Sequence, residues 1–211
     1  MLSKNFVLKD LGIVKECLGM SVNFDKQNCT ITLSQEKYID KLLSKFGLKY
    51  SKSKNVNIEG YVDADWSNDI NDRRSYSGFC FTLSGSVISW SCSKQKCIAL
   101  SSTEAEYVSI SEACKEAVYL RNLQYEITKS MYKITLYNDS MSAQKLLLNP
   151  VFHNKTKHID VKYHYCREMI NESIVSVDYL CTSDMPAHLL TKSLGAVKHY
   201  KRLNALEIVK V

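Results

Sequence analysis

Prolines and glycines are scarce in this sequence, with 2 and 7 among 211 residues. This composition excludes a collagen-like chain and argues against a disordered, low-complexity one. No apolar run approaches the roughly 18 residues that a membrane-spanning helix needs. Charged residues near the N-terminus leave no space for the apolar core of a signal peptide. We therefore expect an intracellular protein, cytoplasmic or nuclear, without membrane contact.

C-x-x-C pairs are also missing, although the chain has 8 cysteines. In an intracellular protein this pattern favours reduced, partly buried thiols over disulfides or a zinc site. The net charge of +6 is uneven, because ten lysines and five acidic residues lie within residues 1–56. The larger part is thus nearly neutral, and its charge alone does not identify a nucleic-acid-binding protein.

A polar stretch at residues 49–57 divides the chain. Before it, alternating residues predict strands at 19–25 and 30–34, and an apolar stripe predicts a helix over 34–46. The expected organisation is a small α+β segment at 1–48, a junction at 49–57, a domain at 58–195 and a C-terminal tail at 196–211.

The larger part combines strand patterns with helix patterns. The predicted strands are 59–66, 78–83, 87–91, 133–138 and 174–181. The predicted helices are 103–126, 142–148, 158–171 and 185–194. Three consecutive strands followed by strands that alternate with helices imply an α/β fold with one mixed five-stranded sheet and helices on both faces.

Asp63 lies inside the apolar strand GYVDADW, where intrinsic preference disfavours an aspartate. Strand alternation places Asp63 and Asp65 on one face of the sheet, and Val62 and Ala64 on the other. Because local preference is violated here, we expect another feature of the protein to compensate for it.

Glu106 lies on the apolar face of the longest predicted helix, a face that it shares with Ile110, Ala113, Ala117 and Leu120. Burial of a carboxylate is unfavourable unless the group is paired or bound to a metal ion. This position therefore predicts a paired or metal-bound carboxylate at the core of the domain.

Purely structural alternatives remain open for the acidic residues. Glu104 forms an S-x-x-E capping box with Ser101, which explains it fully. Glu106 could cap back to Thr103 in the same way. Asp139 directly follows the strand ITLYN, at the kind of strand end where α/β sheets bind ligands, but it could equally cap the next helix.

Together, Asp63, Glu106 and Asp139 form a candidate metal site. Carboxylates that converge repel one another and require a cation. Ligand sets made of oxygen alone favour Mg²⁺ or Mn²⁺ over zinc. A pair of such ions is the usual apparatus for phosphodiester hydrolysis.

Five sequence blocks carry a family resemblance: GYVDADWSND, DRRSYSGFCFTLSGSVISWSCSKQKCIALSSTEAEYVSISEA, YNDSMSAQKLL, KHIDVKYHYCRE and PAHLLTKSL. In this order they closely resemble the ribonuclease H domain of copia-type LTR retrotransposon Pol polyproteins. The resemblance implies a ribonuclease-H-like fold and cleavage of the RNA strand of an RNA–DNA hybrid. It also implies a two-metal Mg²⁺ or Mn²⁺ site and no organic cofactor, and it leaves the oligomeric state unknown.

The family's site is an Asp-Glu-Asp-Asp set, and the resemblance assigns its first three acids to Asp63, Glu106 and Asp139. The fourth belongs to a block like A-D-x-L-T-K, where this chain has His188. The expected catalytic set is thus three metal-binding acids plus His188. Because imidazole is a poorer Mg²⁺ ligand than a carboxylate, we expect weaker binding of a second ion. Alternatively, His188 faces water, and Asp184 either reaches the site or caps the next helix.

Local basic clusters are candidates for phosphate contacts. Arg73, Arg74 and Lys145 are the candidates within the domain, and a second cluster lies near the C-terminus, at Lys198, Lys201 and Arg202.

Residues 1–48 resemble the region that follows the reverse-transcriptase core in the same polyprotein, in FVLKDLGIVKECLGMSV and ITLSQEKYIDKLLSKFGL. The polymerase aspartates of the family lie upstream of this region, and the short junction indicates an internal deletion. Three functions stay open: a hybrid nuclease, a non-catalytic nucleic-acid-binding relic, and a structural module.

Overall fold

The computed structural model describes residues 16–17, 20–25, 27–28, 30–34, 39–41, 44–50, 56–148 and 157–210. The chain divides into two compact units, Met1–Gly47 with Lys210–Val211, and Leu48–Val209. Within the described parts, no helix has the length and apolar character needed to cross a bilayer.

The smaller unit contains a three-stranded antiparallel sheet of β1 (Glu16–Cys17), β2 (Met20–Asp25) and β3 (Thr30–Ser34). Asp25 stabilises the β2–β3 turn by accepting a hydrogen bond from the backbone N–H of Gln27 at 2.9 Å. The two strands predicted here are confirmed. Of the helix predicted over 34–46, residues 39–41 are helical, and residues 35–38 and 42–43 lie outside the described residues. Its two predicted ends are wrong, because residue 34 closes β3 and residue 46 begins β4 (Phe46–Leu48).

The larger unit is built on a mixed five-stranded sheet. Its strands are β5 (Ile58–Asp65), β6 (Tyr76–Leu83), β7 (Ser86–Lys94), β8 (Ile134–Asn138) and β9 (Val175–Tyr179), in the spatial order β7-β6-β5-β8-β9. The first three strands pair antiparallel, whereas β8 and β9 continue the sheet parallel to β5. The predicted α/β fold with one mixed sheet is confirmed.

Helices cover this sheet. They are α1 (Ser102–Thr128), α2 (Met141–Leu148), α3 (Lys157–Asn171), α4 (His188–Thr191) and α5 (Ala196–Ala205), followed by β10 (Ile208–Lys210). The long helix predicted over 185–194 is wrong, because only α4 forms there. The backbone carbonyl of Met185 accepts from the Arg202 side chain rather than from a helical N–H. The segment predicted as a tail contains α5, and up to Val209 it belongs to the larger unit.

α1 begins with the predicted cap. The Ser101 hydroxyl accepts from the Glu104 backbone N–H at 3.2 Å, and the Glu104 carboxylate accepts from the backbone N–H of Leu100 at 2.8 Å. The helix ends at Lys129, which is in the left-handed region with φ 56 and donates its N–H to the Tyr125 carbonyl. These local contacts fix both ends of the helix that carries Glu106.

The two faces of β5 meet different helices. Val62 belongs to the main apolar core, together with residues of α1 such as Ile110. The opposite face carries Asp63, which pairs in register with Gly78 of β6. A Cβ added at Gly78 would lie only 2.6 Å from Cγ2 of Thr191, so α4 packs directly on this face. The expectation of helices on both faces is confirmed. Because side chains alternate along β5, Asp63 lies on the face that α4 covers.

Candidate metal centre

Three side chains from separate elements converge beside the sheet. Asp63 belongs to β5, Asp139 follows β8 and His188 begins α4. One ligand atom from each lies within 4.8 Å of the others, so the group could hold a metal ion. Asp63 is fully buried, and the side chains of Asp139 and His188 are 11% and 3% exposed. Parallel neighbours β5 and β8 thus bring both aspartates to one edge, as expected for an α/β ligand site.

The Asp63 carboxylate is surrounded by donors from the end of α4. Lys192 donates from Nζ to Oδ1 at 2.9 Å, and the Thr191 hydroxyl donates to Oδ2. Ser109 of α1 donates to the Asp63 backbone carbonyl at 2.7 Å and so fixes the strand beneath the side chain. The Lys192 side chain is 35% exposed, so it also carries positive charge to the rim of the site.

Asp139 is held as an ionised carboxylate. Thr182 donates to its Oδ2 at 2.7 Å, and His188 Nε2 lies 3.4 Å from the same oxygen. Burial alone would raise the pKa of Asp139. The nearby imidazole of His188, the hydrogen bond from Thr182 and the charge of Lys192 outweigh burial and lower the pKa of Asp139.

Glu106 lies beside this group without being one of the three convergent ligands. Asn138 donates from Nδ2 to Glu106 Oε2 at 2.9 Å and to the Val62 carbonyl at 3.1 Å, which ties α1 to β5 and β8. Burial, and then the charge of Asp63, raise the pKa of Glu106 to about 8. Glu106 is 8% exposed, so its predicted burial is confirmed. A pKa raised to about 8 favours the protonated carboxyl at neutral pH.

His188 is buried between the two aspartates. Its Nε2 lies 3.3 Å from Asp63 Oδ1 and 3.4 Å from Asp139 Oδ2, although neither contact has the alignment of a hydrogen bond. Burial alone would lower the pKa of His188, but the carboxylates of Asp139 and Asp63 outweigh burial and raise it. The alternative that His188 faces water is wrong.

The capping alternatives are wrong as well. The Ser140 hydroxyl, not Asp139, accepts from the first turn of α2, at 3.2 Å from the backbone N of residue 143. The Thr103 hydroxyl meets Ser142 at 2.9 Å, and the Glu106 carboxylate instead accepts from Asn138. Neither Asp139 nor Glu106 therefore caps a helix, and helix capping does not explain their positions.

Asp184 takes neither of its two predicted roles. Its carboxylate forms an exposed ion pair with Lys201 at 2.9 Å, and the hydrogen bond from Lys201 lowers the pKa of Asp184. α4 begins only at His188, so Asp184 does not cap it.

The sequence of this chain is similar to parts of plant transposon polyproteins. The retrovirus-related Pol polyprotein from transposon TNT 1-94 of Nicotiana tabacum is 29% identical over 281 residues, which cover 90% of this chain and 21% of the relative. That from transposon RE2 of Arabidopsis thaliana is 34% identical over 166 residues, 78% of this chain and 11% of the relative. The chain is homologous to a segment of transposon Pol polyproteins. It spans about a fifth or less of the length of these relatives.

The alignment with the Nicotiana tabacum polyprotein is relevant to the deletion that the short junction at residues 49–57 indicates. It runs over 281 residues, more than the 211 of the whole chain, so the Nicotiana tabacum polyprotein has residues within the aligned span that this chain lacks. This agrees with the deletion inferred from the short junction. No protein-family model matches the chain.

A solved structure shares the fold of the larger unit. LC11-RNase H1, isolated from compost, is 15% identical, with a TM-score of 0.50 over 64% of this chain and 93% of that protein. At such low identity the likeness concerns the fold alone. The larger unit of this Pol homologue therefore has the ribonuclease H fold, as its sequence blocks implied.

The basic candidates are dispersed in the structure. Arg73 is exposed with φ 55, Arg74 forms an ion pair with Asp72 at 3.6 Å, and Lys145 is exposed on α2. Their phosphate contacts stay a prediction. Arg202, from the second cluster, is buried and directed at His188, so its assignment to a surface cluster is wrong.

Sequence reasoning missed several residues that surround the acids. Thr191 and Lys192 stand in the block PAHLLTKSL that carries the resemblance, so their position was a usable signal. Asn138 immediately precedes Asp139 and was equally visible in YNDS. Arg202 had no local signal, because only the fold brings it to His188.

Proposed function

We propose that the larger unit is a metal-dependent ribonuclease H that hydrolyses the RNA strand of RNA–DNA hybrids. The observation that carries this proposal is the convergence of Asp63 and Asp139 on His188 at one edge of the sheet. The ribonuclease H fold and the homology to Pol polyproteins support the same reaction.

The donor chemistry of the site fits a divalent cation. Asp63 and Asp139 offer carboxylate oxygens within one small group, and Glu106 is close enough for their charges to raise its pKa. Oxygen ligands of this kind suit Mg²⁺ or Mn²⁺. Asp63 and Asp139 would hold the ion, with Glu106 joining once it loses its proton. A bound ion supplies Lewis acidity and an activated water for attack on the phosphodiester.

The protein's own residues orient these ligands. Thr191 and Thr182 each fix one oxygen of an aspartate, and Asn138 fixes one oxygen of Glu106. Such hydrogen bonds hold ligating carboxylates in one orientation. Lys192 balances the charge of Asp63 and presents an ammonium at the rim, where it attracts a phosphate group.

Recognition of the hybrid rests on shape. A ribonuclease H reads the backbone geometry and the 2′-hydroxyl groups rather than the base sequence. Exposed Arg73 and Lys145, together with Arg74, are the proposed phosphate contacts.

A specific observation favours a second candidate, a non-catalytic nucleic-acid-binding relic. Both aspartates already have basic neighbours in this chain. Lys192 donates to Asp63, and Nε2 of His188 lies beside the carboxylates of Asp63 and Asp139. With the fourth acid of the family replaced by His188, the cation sites have lost negative charge. Such a domain would keep the fold and bind hybrids without cutting them.

Cleavage of a labelled RNA–DNA hybrid by the full chain, with Mg²⁺ and separately with Mn²⁺, distinguishes the two candidates. Under the proposal the RNA strand is cut, Asp63→Asn abolishes cutting, and the matched change at exposed Asp184→Asn leaves it unchanged. Hybrid binding without cutting supports the relic. If the fluorescence of Trp66, whose indole donates to the Ala99 carbonyl, is unchanged by millimolar Mn²⁺ and no cutting occurs, a structural module is favoured.

A further inference from the structure

Arg202 is a buried cation at the back of the candidate metal centre. It lies on α5 and is 5% exposed. Its Nε donates to the Met185 carbonyl at 2.8 Å, and its Nη2 donates to the Thr182 carbonyl at 3.0 Å. The same Nη2 lies 3.2 Å from His188 Nδ1. Its Nη1 also donates to the Lys198 carbonyl at 3.5 Å. Three backbone carbonyls thus hold the guanidinium in place against the imidazole.

The contact between Arg202 and His188 determines where the imidazole carries its proton. A guanidinium only donates hydrogen bonds, so Nδ1 of His188 must accept and must be bare. The single proton of the neutral ring is therefore on Nε2. That nitrogen faces the carboxylate oxygens of Asp63 and Asp139 at 3.3 and 3.4 Å, although neither contact has the alignment of a hydrogen bond.

The orientation of the ring is fixed from both sides. Turning the imidazole by 180° would put carbon atoms in the places of both nitrogens. The Arg202 guanidinium would then lose its acceptor, and the two aspartates would face a C–H instead of an N–H. Donor and acceptor polarity thus match on each side of His188 in the observed orientation only.

We propose that Arg202 is a positioning residue that holds His188 as the Nε2–H tautomer, so that the imidazole turns an N–H, and not a bare nitrogen, toward Asp63 and Asp139 and is not a metal ligand. This inference rests on the proposed function, because it specifies how the same site receives an ion. A ligating histidine offers a bare nitrogen to the metal, and its other N–H usually donates to a carboxylate or carbonyl. In His188 the arrangement is reversed. Its Nδ1, on the side away from the aspartates, accepts from the Arg202 guanidinium, so the proton is on the nitrogen that faces the site.

One consequence concerns the number of ions. The position that holds the fourth acid in the family holds an N–H in this chain, and an N–H cannot bind a cation. We expect the ions to be held by the acids alone, and His188→Asp to bind one more Mn²⁺ per chain than the natural sequence.

Nitrogen-15 NMR of the imidazole ring tests the proposal directly. The full chain is labelled at its histidines, and the His188 signals are assigned by their loss in His188→Gln. The expected spectrum shows a bare Nδ1 and a protonated Nε2, unchanged by saturating Mg²⁺. A protonated Nδ1, with or without Mg²⁺, would overturn the proposal.

Variants separate positioning from mere packing. Arg202→Met removes the donor and should shift the His188 nitrogens toward a mixture of both tautomers. Arg202→Lys keeps a donor and should retain more of the Nε2–H form, and Lys201→Met on the same helix should retain all of it. An unchanged spectrum in folded Arg202→Met would overturn the proposal. If that variant does not fold, the spectrum of the natural chain decides alone.

Different results would reject the nuclease activity and the positioning role of Arg202. Absence of hybrid cleavage in the natural chain and in His188→Asp would count against the proposed function and leave the tautomer assignment standing. A protonated Nδ1 in a chain that cleaves hybrids would reject the role of Arg202 and leave the nuclease standing.

Discussion

Lys192 donates from Nζ to Oδ1 of Asp63 at 2.9 Å, although the two residues are 129 positions apart in the chain. The carboxylate is fully buried and lies with Asp139 around His188. The lysine therefore supplies, from within the chain, part of the positive charge that a metal ion would bring. A cation that binds Asp63 must compete with it for the same oxygen.

Lys192→Met should lower the free energy of unfolding of the metal-free chain by about 1–3 kcal/mol, because it leaves a buried carboxylate without its cation and Lys192 is itself partly exposed. Mn²⁺ should then stabilise the variant more than the natural chain. Urea unfolding with a chelator and with Mn²⁺ measures both effects.

The control for this prediction is Lys115→Met. Lys115 pairs with Glu112 at 3.3 Å on the exposed side of α1, where ion pairs contribute little. If Lys192→Met behaves like this control and gains nothing from Mn²⁺, the charge-balancing role of Lys192 is wrong.

Glu106→Gln should change the pH dependence of stability. The pKa of Glu106 is raised from 4.5 to about 8 on folding, so the folded chain binds this proton more tightly than the unfolded chain. The stabilisation that it provides is complete below pH 4.5 and is lost as the pH rises to 8. Glutamine cannot ionise, so with a chelator present the stability of the variant relative to the natural chain should rise across this window.

Urea unfolding at a series of pH values measures that difference. The same substitution at Glu168, an exposed carboxylate of α3, is the matched control. A difference between Glu106→Gln and the natural chain that stays constant from pH 4.5 to 8 would contradict the assigned pKa.

Gly78→Ala should loosen α4 from the sheet. An added Cβ would lie 2.6 Å from Thr191 Cγ2 and 2.9 Å from Leu190 Cβ, closer than packed atoms allow. We expect a loss of about 1–3 kcal/mol in the free energy of unfolding. Mn²⁺ affinity should fall too, because Thr191 orients Asp63.

Gly195→Ala provides the comparison, since no atom lies within 4 Å of a Cβ added there. Its effect should stay within about 0.5 kcal/mol. Equal losses in the two variants would show that the packing of α4 on Gly78 is unimportant.

Arg73→Ala and Lys145→Ala should each weaken hybrid binding to a similar degree for all sequences. Each removed phosphate contact should reduce the slope of log affinity against log salt concentration by about 1. Fluorescence anisotropy with a labelled hybrid over a salt series measures the slope. Lys115→Ala should leave the slope unchanged, and a candidate that behaves like this control does not contact phosphate.

The sequence predicted those parts of the site that depend on local pattern. Strand alternation placed Asp63 on the face opposite Val62, and helical periodicity distinguished buried Glu106 from the capping residue Glu104. Both assignments hold because the period of a strand or helix fixes which side chains face the core. Asp139 was found from its place at the end of a strand.

Contacts between distant segments could not be predicted in this way. Arg202 lies only 14 positions from His188, yet its contact depends on α5 folding back over residues 182–185. The helix expected over 185–194 was wrong for the same reason, since a side chain from α5 takes the carbonyl that the helix would have used. Tertiary hydrogen bonds here override the local helical pattern.

Single-turnover cleavage of an RNA–DNA hybrid by the natural chain, Asp63→Asn and His188→Asp, in Mg²⁺ and in Mn²⁺, tests the central claim most directly. The account predicts cutting of the RNA strand by the natural chain, faster cutting by His188→Asp, which restores the fourth acid, and none by Asp63→Asn. Cutting that survives Asp63→Asn, or the absence of cutting by the natural chain, would contradict it.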